Sequence, residues 1–473
     1  MKTKFALTMA LAGSVMLVGC SDNDDDPVAQ EPTSKVRAVH AVSDAPAVTV
    51  LIDGSAAVSG AEFKQAAVIS PTLGTYSLAV DAILPGGSTT TVIDPSDVTL
   101  EEGFSYDVIA VGKVGNIESV VLADDGDRTD ANAVRLRVAH LSPGAEMAAG
   151  GPVDVYLTAF GAPLPADATF SFSFKENVGP LEVPAADDYQ IRVTPTGSDT
   201  VVYDSGEIAL PAGADLLVGA IDNTVFGNSP VSLLVINGSD TSEILDAGTG
   251  AGIRAAHNSS SPTPNVDIFL NEDPDMSPAA TNVAFGETVP AAAITGAYVV
   301  LDAGENRVAV TATGVTSSTA IDETLELANG DLKTILAAGV LADGLDTLVF
   351  SDDNRRIATE AKLRVIHGAI EAPTVDVFLV PTDANGGPAA TLIGNATPAL
   401  DDFEYGKSSG YISVAAGDYV VFITSADGAT EYFKSGNLSL ENRGVYTAIA
   451  RLNESPDTVA TVTLMDDFVV GPL

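Results

Sequence analysis

Leu363-Arg364-Val365-Ile366-His367 and, a few residues on, Pro373-Thr374-Val375-Asp376-Val377-Phe378 form a pattern that the chain writes four times. The first copy is Lys35-Val36-Arg37-Ala38-Val39-His40 with Ala45-Pro46-Ala47-Val48-Thr49-Val50. The second is Leu136-Arg137-Val138-Ala139-His140 with Pro152-Val153-Asp154-Val155-Tyr156. The third is Ile253-Arg254-Ala255-Ala256-His257 with Pro264-Asn265-Val266-Asp267-Ile268-Phe269. The chain has only 4 histidines, and the Arg-x-x-His frame holds all of them, one per copy.

The copies start at residues 35, 134, 252 and 362, so the spacings are 99, 118 and 110 residues. Those are domain lengths, far longer than a solenoid repeat. Short segments rich in Val, Ile, Tyr and Thr alternate with Gly, Pro, Asp and Asn at the rhythm of a β-sandwich, roughly every 8–12 residues. Tyr76–Val80 and Tyr106–Val111 in the first unit return as Tyr419–Ile423 and Tyr446–Ala450 in the fourth, each shortly after a glycine. No helical period is visible beyond residue 19. The expectation is an all-β chain of four tandem immunoglobulin-like β-sandwiches, over 35–132, 133–250, 251–360 and 361–473.

Residues 1–19 read as an address. Lys2 and Lys4 precede an apolar run from Phe5 to Val18 that is short for a bilayer span. The run ends in Leu17-Val18-Gly19-Cys20, the form of a lipoprotein signal peptide with Cys20 as the lipidated residue. Cys20 is the only cysteine, so no intramolecular disulfide can form. By resemblance to bacterial lipoproteins, whose inner-membrane retention signal typically places Asp where this chain has Ser21, the outer membrane is implied. Residues 20–34 carry five acids and two prolines, too little apolar surface to fold, and read as a disordered acidic tether.

The net charge of −42 repels nucleic acid and anionic lipid, which argues against either as a partner. Hydrophobic content of 46% against 18% charged residues supplies ample core. The chain lacks a phosphate-binding glycine loop, a metalloprotease helix motif and a Gly-x-Ser-x-Gly elbow.

Arg-x-x-His followed by Ser43-Asp44-Ala45-Pro46-Ala47-Val48 and a Val-Asp-Val strand resembles the bacterial domain of unknown function 4397 family. The first and fourth copies match best. The second carries an insertion over Glu146–Gly151, and the third has Ser-Pro-Thr-Pro in place of Asp-Ala-Pro. The resemblance spans essentially all of the chain after Cys20 and implies tandem domains on secreted proteins or lipoproteins, with no established activity.

Strand parity sorts the motif residues. His40 shares a face with Val36 and Ala38, and His367 with Leu363 and Val365; Arg37 and Arg364 point away. In the following strand Val375 and Val377 share the core face and Asp376 lies opposite, with Asp154 and Asp267 in the same phase. If both strands belong to one sheet, Arg364 pairs with Asp376; if they belong to opposite sheets, that pairing loses its basis. A His–Asp acid–base couple is disfavoured because the first unit has Thr49 at the Asp position and because no nucleophile recurs. One histidine per unit also cannot build a zinc site. Arg37, His40, Arg137, His140, Asp154, Arg254, His257, Asp267, Arg364, His367 and Asp376 are therefore expected to be structural, with each histidine bonding the loop after its strand.

Acidic clusters mark the unit junctions: Asp124, Asp125, Asp127 and Asp130, then Asp240 with Glu243, then Asp352 and Asp353. Calcium is a candidate at the first, by ligand density, with solvated turns as the plainer alternative. The functional expectation is a non-enzymatic envelope lipoprotein, attached to the membrane by its lipid and facing the periplasm or the exterior. It would act as a binding or adhesion module, or as a structural spacer, toward an unknown envelope or extracellular ligand. The alternatives are a glycan- or peptide-binding protein and, from another class, a hydrolase with an inter-domain site.

Overall fold

The computed structural model describes residues 31–259, 264–291, 293–372, 374–383, 387, 396–452 and 460–469. The expected signal peptide, Cys20 and most of the expected tether lie outside these residues. The last tether positions join the fold: Thr33 bridges Thr72, and the Ser34 N–H donates to the Pro71 carbonyl.

The chain is predominantly β, with tandem pairs of sheets. In the fourth unit one sheet has the order Ser408–Val414, Ala361–His367, Val445–Leu452, Ala460–Asp466. The other runs Leu400–Glu404, Thr374–Pro381, Gly417–Ser425, Glu431–Lys434, with Leu438–Leu440 pairing the first residues of Gly417–Ser425. Leu363 and Val365 from the first sheet meet Val375, Val377, Tyr419 and Ile423 from the second in one buried cluster. Each such side chain contributes about 1.5–3 kcal/mol when fully buried, so alternation along these strands decides which way each sheet faces. The Arg-His strand runs parallel to its neighbour in every unit, as Lys362–His367 does beside Val445–Ala450.

The Arg-His strand and the Val-Asp strand thus lie in opposite sheets in all four units. That removes the ground for pairing Arg364 with Asp376. Asp376 instead accepts the Asp402 N–H at 2.9 Å. Asp267 accepts the N–H groups of Asn282 and Gly314, and Asp154 accepts from Ser171, Thr196 and Gly197. These carboxylates hold turns within their own sheet.

Among the described residues one helix interrupts the β pattern, Pro143–Ala149, which runs into the second unit's insertion. Ser142 caps it by accepting the Ala145 N–H, Pro143 opens it, and Gly150 ends it at φ +72°. A segment of seven residues is too short for a readable apolar period, so the caps were its sequence signal.

The units pack in twos through the sheets that carry the Arg-His strands. Val39, Ala41, Ile109 and Val111 of the first unit share a core with Ala139, Leu141, Leu217 and Ile221 of the second. Ala256, Leu336 and Ala338 of the third meet Ile366, Ile449 and Met465 of the fourth in the same way. These sheets are therefore buried on both faces. Further contacts join the twos: Phe226 packs edge-on against Tyr298, and Arg443 pairs with Asp44 at 2.7 Å.

Candidate functional site: buried arginine clamps around a four-unit cleft

The motif arginines point into the shared cores. Arg254 Nε lies 2.9 Å from Asp352 and its Nη1 2.6 Å from Asp466, with all three side chains fully buried. Arg364 Nη1 lies 2.5 Å from the same Asp352. Thr334 donates to Asp352, and Thr447 donates to Asp466 at 2.7 Å, completing a closed set of partners. Burial alone would raise the Asp352 carboxyl, but Arg254 and Arg364 outweigh it and hold it below the usual value.

The first two units repeat the arrangement. Asp107 stands between Arg37 at 2.6 Å and Arg137 at 2.7 Å. Asp124 takes Arg135 at 2.5 Å and Arg137 at 3.4 Å. Asp124 and Asp352 of the acidic junctions thus join the motif arginines in these clamps, whereas Glu243 of the second junction pairs with Lys64. Asp124 is turned inward to the guanidinium groups, while Asp125 accepts the Asp127 N–H and Asp130 accepts the Asn132 N–H. The four acids proposed for calcium therefore do not converge, and among the described residues no group of three or more His, Cys, Asp or Glu is placed to hold a metal.

The histidines stay apart, one in each unit. His40 Nε2 donates to the Pro46 carbonyl at 3.0 Å, and its Nδ1 accepts the Val42 N–H at 3.3 Å, which fixes the neutral tautomer. Burial lowers its pKa to about 4. His257 keeps the bond to Pro264, while His140 and His367 keep the bond to the N–H two residues on. Burial lowers all three of their pKa values as well.

Sequence reasoning missed the partner of each histidine. Phe63, Phe174, Phe285 and Tyr405 stack edge-on against His40, His140, His257 and His367. The next residue, Lys64, Lys175, Gly286 or Gly406, has φ between +73° and +81° and donates its N–H to the histidine carbonyl. The signal was an aromatic followed by Lys or Gly in every unit, at a spacing too variable to stand out.

Where the four units meet lies a cleft of about 940 Å³. Its walls include Ser43 and Lys113 from the first unit, Asp222 and Phe226 from the second, Thr295 from the third, and Arg443 from the fourth. Asp222 accepts Ser142 Oγ and the Gly144 N–H on one oxygen, and Ser43 Oγ at 2.7 Å and Lys113 at 2.6 Å on the other. Lys113 also donates to Ser43 at 2.6 Å. Three smaller cavities, about 70, 40 and 220 Å³, are apolar gaps between the two sheets of the second, first and fourth units, and a polar one of about 120 Å³ lies beside Arg37, Asp107 and Arg137.

With this geometry in view, the family comparison decides the affiliation. The model described as Domain of unknown function (DUF4397) matches residues 34–149, 251–378 and 382–472, well over half the chain. The chain belongs to that family. In the second unit the match stops at residue 149, just before the rest of the two-sheet structure. No curated protein matches. Among solved structures, the Bacillus anthracis TIE protein is 11% identical at TM-score 0.14, over 85% of this chain and 65% of its own. A putative cell adhesion protein from Bacteroides fragilis is 9% identical at TM-score 0.13, over 46% of this chain and 97% of its own. The pneumococcal glycogen-degrading virulence factor SpuA is 11% identical at TM-score 0.15, over 84% and 37%. Likeness at that level carries no inference about this DUF4397 chain. Among its described residues no helix is long and apolar enough to cross a membrane.

Proposed function

We propose that this chain is a non-enzymatic envelope lipoprotein, anchored at the outer membrane through Cys20. In this reading its four immunoglobulin-like sandwiches form one rigid binding module. The observation that carries the reading is the cleft, because every unit contributes to its wall. Shared cores between units favour a block with a fixed recess over an extended spacer. Tyrosines that bond carbonyls upstream in their own corner, Tyr76 to Thr72, Tyr189 to Pro184 and Tyr419 to Ala415, support the immunoglobulin-like description. The chemistry of the wall supports binding over hydrolysis: Lys113 is committed as a donor, and the histidines are buried within single units.

Two experiments test the reading. Cys20→Ala should move the protein from the membrane to the soluble fraction, and retention after carbonate washing would refute the anchor. Intact chain displayed against glycan and peptide arrays should bind members that Val300→Trp, which obstructs the cleft wall, no longer binds. Binding that survives this substitution would place the ligand seat elsewhere.

A further inference from the structure

We infer that the cleft takes a small carboxylate-bearing ligand, received by Arg355 with Arg443 beside it. The inference rests on the reading of the cleft as the ligand seat and names the chemistry of what fills it.

The argument is an account of donors and acceptors around the wall. Its acids have protein donors on both oxygens. Asp44 accepts the Val114 N–H and Arg443. Asp222 takes four donors. Asp246 accepts the N–H groups of Asp204 and Gly248. The cations are not matched in the same way. Arg356 is used up by Asp467 and the Arg443 carbonyl. Arg355, however, gives Nε to the Ser43 carbonyl at 3.2 Å and Nη2 to the Ala45 carbonyl at 2.5 Å, and no carboxylate lies within ion-pairing distance among the described residues. Its Nη1 has no protein partner among the described residues, and the guanidinium carbon lies over the Phe63 ring, 5.1 Å from its centroid. Arg443, with its side chain 55% exposed, spends one nitrogen on Asp44.

In a chain with 64 acids to 22 basic residues, this guanidinium has no carboxylate at ion-pairing distance, although Asp353, Glu62, Glu360 and Asp44 act on it from farther off, so it has room for a closer acceptor. Burial presses the Arg355 pKa downward, the direction that an incoming anion would reverse. The charge of the ligand is bounded too. Asp44, Asp222 and Asp246 stand in the same wall, so a doubly charged phosphate meets repulsion where a single carboxylate is balanced. Met147, Phe226 and Val300 offer apolar surface to the remainder of the ligand.

The test is calorimetric titration of the intact chain with two matched sets: a glutamate-containing tripeptide against its glutamine counterpart, and a glucuronate disaccharide against its glucose counterpart. The expected result is that one acid binds at least about tenfold more tightly than its neutral partner. Arg355→Met should erase that preference, and Arg355→Lys should restore part of it. Arg443→Gln gives a second reading if Arg355→Met does not fold. Equal binding of acid and neutral members, abolished by Val300→Trp, would overturn the carboxylate inference and leave the cleft as the seat. Absence of binding by any of the four would overturn both.

Discussion

Asp352 stands between Arg254 of its own unit and Arg364 of the next, at 2.9 and 2.5 Å, with no exposed surface on the carboxylate. One acid thereby bridges two cations that the repeat places on facing sheets, and Asp466 on Arg254 supplies the second negative charge. Burying an isolated guanidinium is prohibitive, so each arginine depends on a carboxylate reached across the interface or at the strand end.

Asp352→Asn should lower the stability of the third and fourth units by about 3–5 kcal/mol, because it leaves two buried cations under-compensated. Asp376→Asn removes one acceptor from a turn and should cost about 1 kcal/mol. Denaturant unfolding of both variants checks the order. If Asp376→Asn were the more damaging, the clamp would not be the dominant use of acid here.

Acid should open the same interface. The Asp352 carboxyl is lowered in the folded state, so the unfolded chain binds its proton more readily. Its contribution is complete above the unfolded value of about 4 and drains away as pH falls through the folded value. Melting curves recorded from neutral pH downward should show wild type losing more stability below that point than Asp352→Asn. Parallel loss in both would contradict the assignment.

His40 titrates in the other window. Burial takes it from 6.5 to about 4, so the folded first unit resists the proton that the unfolded chain accepts. The stability of that unit should be complete above pH 6.5 and fall between 6.5 and about 4, by up to roughly 3 kcal/mol. Its imidazole resonance should stay neutral until about pH 4, and a midpoint near 6.5 would show that the ring is reached by water.

The histidines should also differ among themselves. His40 makes two bonds, whereas His140 Nε2 has no partner because the helix replaces the loop that supplies one. His40→Ala should therefore cost about 1 kcal/mol more than His140→Ala. Effects in different pairs of units should add, since the sites share no partners.

Much of the architecture was legible in residues such as Val36, Ala38 and His40, whose alternation placed them on one face and Arg37 on the other. Parity could not say what the arginine face met. Arg37 and Asp107 are 70 positions apart, and Arg254 and Asp466 are 212 apart, so no local spacing links them. The same holds for the cleft, where Arg355 and Ser43 come together from 312 positions apart. The acidic junctions were noticed for their charge and assigned to solvent or calcium. Asp124 and Asp352 take another role because a facing sheet supplies their counter-ions.

The back-to-back packing also limits how such a chain can grow. Each unit offers one apolar face carrying a guanidinium, and each face is satisfied by a single neighbour. A fifth copy appended to this chain would carry Val39-like and Arg37-like positions into water with nothing to receive them. Duplication of one unit would thus leave such a face open to water, whereas duplication of two together would let each cover the other.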